Sequence, residues 1–121
     1  MEKTLKENLD FVTHIRSDSG ILLYEDYGTK TSRTGFRLYG KIDGCKMIIY
    51  VNKFNWGGFG IDEYDYGLKD ISVRSLKRSL DAHSDNELFQ KLKEGFGVRD
   101  GDKLLQQFLK EHHILYKIWS D

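Results

Sequence analysis

The segment TGFRLYGKIDGCKMIIYVNKF, Thr34–Phe54, decides how the rest of the chain is read. Two runs rich in β-branched and aromatic residues flank Asp43-Gly44. That dipeptide is favoured in two-residue hairpin turns, where the central positions take φ > 0. With Asp43 and Gly44 as the turn, Ile42 pairs with Cys45, Gly40 with Met47, Leu38 with Ile49 and Phe36 with Val51. Side chains alternate along a strand, so these eight share one face. The face is apolar apart from its glycine and is expected to turn to the core. A slip of one residue would expose it, so the spacing predicts a firm register.

The opposite face carries a different chemistry. The same register sets Arg37 opposite Tyr50, Tyr39 opposite Ile48 and Lys41 opposite Lys46, and a like-charge pair weakens a sheet slightly. Between Lys30 and Lys53, six basic residues stand against one acid. Flat rings among cations are the ingredients of single-strand nucleic-acid platforms. Arg37, Tyr39, Lys41, Lys46 and Tyr50 are therefore the candidate nucleic-acid-binding set, with Arg74, Lys77 and Arg78 as an extension. The plainer expectation is a solvated outer face with its lysines splayed into water.

Upstream of the hairpin, Thr4 and Glu7 have capping-box spacing ahead of Leu5, Leu9 and Val12, which predicts a helix over 5–13. Ile21–Tyr27, ILLYEDY, reads as a strand. Downstream, Val73, Leu76 and Leu80 recur at helical spacing after Ser72, a good N-cap, and predict a helix over 72–82. Ser84 and Glu87 form a second capping box before Leu88, Phe89 and Leu92, with Gly95 placed to end that helix. Asp100-Gly-Asp102 opens a third helix carrying Leu104, Leu105, Phe108 and Leu109. His113–Trp119, HILYKIW, reads as a final strand. The sum is one α+β domain over 1–121: an antiparallel sheet of three to five strands centred on the 34–53 hairpin, with the C-terminal helices on one face. The expected core contains Leu23, Phe36, Leu38, Met47, Ile49, Val51, Leu76, Leu80, Leu92, Leu105 and Phe108.

Composition narrows function. Lys+Arg and Asp+Glu are both 19, for zero formal net charge, whereas general nucleic-acid binders carry a basic excess. No apolar run approaches the ~18 residues of a membrane span. The first eleven residues are charged throughout, and Cys45 is the single cysteine, so a cytoplasmic location is expected.

Asn55–Gly67, NWGGFGIDEYDYG, holds four aromatics, four glycines and three acids. It lacks the Lys and hydroxyl of a phosphate-binding P-loop and the third glycine of the dinucleotide fingerprint. Read as a calcium loop beginning at Asp62, it places Tyr64, Tyr66 and Val73 where oxygen ligands belong. Asp62, Glu63 and Asp65 form one acidic turn, weak evidence for a glycosidase-like carboxylate pair. Cys45 falls on the core side of the hairpin, away from a nucleophile's setting. His14 and His83 stand alone, and His112 and His113 are adjacent and diverge. The one catalytic alternative is a site assembled in the fold from His112 or His113 with Glu25 or Asp26. No enzyme, no metal and no cofactor is expected.

Trp and Tyr dominate interface hot spots. Trp56, Phe59, Asp62, Glu63, Tyr64, Asp65 and Tyr66 are accordingly the candidate partner-binding loop. The competing expectation is that Trp56 and Phe59 cap the core while the acids face water. Phe54–Ile71 has four acids against one lysine, directly after the basic hairpin. Such charge segregation suits steered docking on another protein. The leading expectation is a non-enzymatic protein-binding module, such as a small inhibitor, immunity protein or adaptor. Nucleic-acid binding by the hairpin's outer face is the alternative.

Overall fold

A computed structural model of the chain describes residues 20–55 and 62–120. Among the described residues, five strands form one antiparallel sheet in the order β1-β2-β3-β4-β5. These are β1 (Ile21–Asp26), β2 (Thr34–Asp43), β3 (Lys46–Asn55), β4 (Asp62–Ser72) and β5 (Lys117–Ser120). Helices α1 (Val73–Leu80), α2 (Asp85–Phe96) and α3 (Gly101–Glu111) lie between β4 and β5 in sequence and pack on one face of the sheet. The expected helix over 5–13 lies outside the described residues.

The hairpin forms with its apolar face inward, but in another register. Asp43 pairs with Lys46, Ile42 with Met47, Gly40 with Ile49, Leu38 with Val51 and Phe36 with Lys53. The two-residue turn is Gly44-Cys45, one position later than the spacing predicts. Gly44 has φ +64° and Cys45 is not among the positive-φ residues. This is the pattern of a type II′ turn, which needs glycine only at its first central position. The shift moves each residue's partner by two, so the same side chains stay inside. It also exchanges the like-charge pair Lys41/Lys46 for Lys41 opposite Ile48 and Asp43 opposite Lys46. Cys45 consequently sits exposed in the turn rather than on the core side.

Helix starts follow their caps. Ser72 Oγ accepts from the Ser75 N–H, and Ser84 Oγ from the Glu87 N–H, each at 3.1 Å. Helix α2 runs past Gly95 to Phe96 and is closed by Gly97. The last strand begins at Lys117 rather than His113, because α3 and its closing turn occupy the residues up to His113.

Among the described residues the core is a single cluster. Phe36, Leu38, Met47, Ile49, Val51, Leu68 and Ile71 from the sheet meet Leu76, Leu88, Phe89, Leu92, Leu105 and Leu109 from the helices. Burying each such side chain contributes about 1.5–3 kcal/mol. Leu80 and Phe108 are half-buried at the margin of this cluster.

Candidate functional site

The acidic-aromatic stretch does not stay together as one loop. Trp56 and Phe59 lie outside the described residues, and Asp62 and Glu63 are placed here only as the backbone that opens β4. From Tyr64 onward the chain is in an inner strand, and alternation separates its side chains. Tyr64 and Tyr66 point to the helix side, with ring centroids 6.1 Å apart. Asp65 points to the other face, where Asn52 Nδ2 donates to its Oδ1 at 2.6 Å.

Tyr64 is 55% exposed and stands at the rim of a cleft of about 350 Å³, lined also by Thr34, Phe36, Lys53, Phe54 and Arg99. Arg99, in the link between α2 and α3, is anchored. Its guanidinium lies 3.2 Å from Asp26 Oδ1 and donates to the Thr34 carbonyl. Asp26 also accepts from the Tyr24 hydroxyl and the Gly28 N–H, each at 2.9 Å. The first of these bonds, with burial, raises the Tyr24 pKa.

Lys53 Nζ is held more loosely, 3.8 Å from Asp102 Oδ2 and about 6 Å from the Phe36 and Tyr66 ring centroids. Behind it runs a half-buried polar chain that ends on a buried carboxylate. Tyr116 Oη donates to Gln106 Oε1 at 3.4 Å, Gln106 Nε2 donates to Tyr66 Oη at 3.3 Å, and Tyr66 Oη donates to Asp102 Oδ2. Asp102 is fully buried at the start of α3, and its Oδ1 has no hydrogen-bond partner among the described residues. Burial, reinforced by the bond to Asp102, raises the Tyr66 pKa far above the ordinary phenol value, so this hydroxyl remains a donor. Sequence spacing held no sign of this chain, since Tyr66 and Asp102 are 36 residues apart.

The face of the sheet opposite the helices is layered by rank. In one rank Glu25, Arg37, Asn52 and Asp65 are directly opposed across four strands. Arg37 Nε lies 3.2 Å from Glu25 Oε2, and Arg37 Nη1 lies 3.4 Å from Asn52 Oδ1. The guanidinium sits 4.4 Å from the Phe54 ring centroid and 5.7 Å from that of Tyr27. The next rank is Tyr39, Tyr50, Gly67 and Trp119. Trp119 lies so close over Gly67 that a Cβ there would overlap the indole, and it meets Tyr50 edge-on at 5.5 Å.

The hairpin's outer face is therefore only partly the exposed patch that alternation suggests. Arg37 and Tyr39 are buried, Tyr50 is half-buried, and Lys41 and Lys46 are exposed. Arg74, Lys77 and Arg78 belong to α1, on the other side of the sheet, and Lys77 pairs with Asp85 at 2.7 Å.

Glu25 and Asp26 take Arg37 and Arg99 as ionic partners rather than His112 or His113. His112 stacks on Phe108, with centroids 4.2 Å apart. No group of three or more His, Cys, Asp or Glu among the described residues is placed to hold a metal ion. Comparison with protein-family models, with curated proteins and with solved structures gives no match.

Proposed function

We propose that the chain is a non-enzymatic protein-binding module, of the kind that serves as a small inhibitor, immunity protein or adaptor, and that it docks through the cleft at Tyr64. The observation that carries this reading is an aromatic side chain 55% exposed at the mouth of a cleft with an apolar floor and two cations. Tyrosine buries much area for few rotatable bonds, and Tyr and Arg are enriched among interface anchors. Phe36 and Phe54, both buried, back the cleft with apolar rings, while Lys53 offers charge to an acidic side chain of the partner. Arg99 is tied to Asp26 and Thr34, and Tyr66 to Asp102, an arrangement suited to a rigid binding surface.

A cytoplasmic setting belongs to the same proposal and rests on the single, exposed thiol of Cys45. No helix among the described residues is long and apolar enough to cross a membrane.

The test is capture from native extract followed by reconstitution with the purified candidate and calorimetric titration. A Tyr64→Ala variant that melts like the parent is expected to bind at least about 30-fold more weakly, the loss typical of a hot-spot anchor. A folded variant that binds with parental affinity removes the cleft from the interface.

A further inference from the structure

The sheet face turned away from the helices brings together cations that are scattered in sequence. Lys41 on β2, Lys69 on β4 and Lys117 on β5 share its turn-proximal rank, and Lys46 follows at the turn. All four are exposed. Lys69 and Lys117 stand directly opposite each other in the ladder, an unfavourable like-charge pairing. Asp70, in a left-handed conformation at the β3–β4 irregularity, comes within 3.5 Å of Lys117. That pair is largely exposed and worth little. Among the described residues a second nearby acid is Asp43, opposite Lys46. Strands lie ~4.8 Å apart, so the row from β2 to β5 spans roughly 14 Å. Roughly 7 Å along the strands is the aromatic rank, with half-buried Tyr50 and Trp119.

We propose that this half-face binds single-stranded nucleic acid. Backbone phosphates lie along Lys41, Lys69 and Lys117, and a base rests against the Tyr50–Trp119 pair. Two features favour that occupant. The lysine row leaves an excess of positive charge that a run of phosphates neutralises, and parallel to it runs a rank of rings that offers any base a surface for contact. The buried half of the face, with Arg37 and Tyr39, serves only as support. The site is on the opposite side of the sheet from the Tyr64 cleft, so it stands or falls separately from the protein-binding reading.

The experiment is fluorescence anisotropy with a labelled oligouridylate of about twelve nucleotides, within the site sizes of small single-strand binders. The full chain is titrated over a series of salt concentrations, with an unlabelled oligoglutamate peptide as competitor. Three phosphate contacts predict a log–log salt slope of about −2. The Lys41→Gln/Lys69→Gln/Lys117→Gln variant alters only exposed side chains. It is expected to bind at least about tenfold more weakly at low salt and to flatten the slope. Tyr64→Ala is expected to leave oligonucleotide binding unchanged. Absence of binding at low salt overturns the proposal, as does a folded triple variant with parental affinity. If oligoglutamate displaces the oligonucleotide at equal charge concentration, the row is a site for acidic protein and the nucleic-acid assignment is overturned.

Discussion

The two faces of β2 and β3 are built from the same twenty residues and solve burial in different ways. On the helix side, Phe36, Leu38, Met47, Ile49 and Val51 disappear into one apolar cluster. There, area removed from water is the driving force and direction matters little. On the other side, Arg37, Asn52 and Tyr39 are equally hidden. A charge buried without partners is very costly, so Arg37 is held between Glu25, Asn52 and two aromatic rings. The first face tolerates shape changes within limits. The second depends on particular atoms meeting particular atoms, and a sheet register supplies them.

The largest effect is expected on the apolar face. Ile49 is fully buried on a central strand, and Ile49→Ala should lower unfolding free energy by about 4 kcal/mol, within the range for emptying a core site. Urea denaturation followed by circular dichroism measures it. A loss below about 1 kcal/mol would mean that the cluster repacks freely and is not a single jigsaw core.

The polar ladder should break nearly as hard. Arg37→Ala leaves half-buried Glu25 and buried Asn52 without their shared donor and is expected to cost about 3 kcal/mol, the upper end for polar partners left unsatisfied. Were this face a solvated surface, the same change would fall within about 0.5 kcal/mol. The ladder therefore gives the sharpest contrast between the two accounts of the face.

Tyr66 tests the polar chain that tethers β4 to α3. Tyr66→Phe removes the donor to a buried carboxylate and should cost about 2 kcal/mol at neutral pH. The folded pKa of Tyr66 lies above its ordinary value of 10.0. The folded state thus holds the phenolic proton more tightly than the unfolded chain does. The corresponding stability is fully present below pH 10 and is lost progressively as pH rises above it toward the folded pKa. Stability profiles of parent and Tyr66→Phe should converge through that alkaline window. Profiles that stay parallel would assign the cost to packing alone.

The smallest effect belongs to the turn. Cys45→Ser should change stability by no more than about 0.5 kcal/mol, and the native thiol should react at once with a thiol reagent. A protected thiol would restore the Asp43-Gly44 turn, with Cys45 on the core face.

Local order is legible in the chain itself. The alternation in FRLYGKI and KMIIYV selects which side of the hairpin is apolar. Ser72 and Ser84 mark where helices begin, because both the period of two and an N-cap hydroxyl act within a few residues. The antiparallel sheet with helices on one face follows from that pattern and from the order of elements. The turn position does not, since Asp43-Gly44 and Gly44-Cys45 both satisfy glycine's local preference. The choice rests on cross-strand partners, which set Asp43 rather than Lys41 against Lys46. Nor does Arg37's burial follow, because alternation says only that it faces away from Leu38. Glu25 and Asn52, 12 and 15 residues distant, make that position habitable. Tyr64–Tyr66 reads as a loop because glycines and acids precede it. In the fold it is strand, since β3 offers a ladder along one side and β5 joins along the other further on. The row of Lys41, Lys69 and Lys117 likewise exists only once β4 and β5 are added to the hairpin. Short-range sterics and capping bonds are written in neighbouring residues. Pairing partners, buried ion pairs and assembled surfaces depend on contacts that only the closed sheet brings within reach.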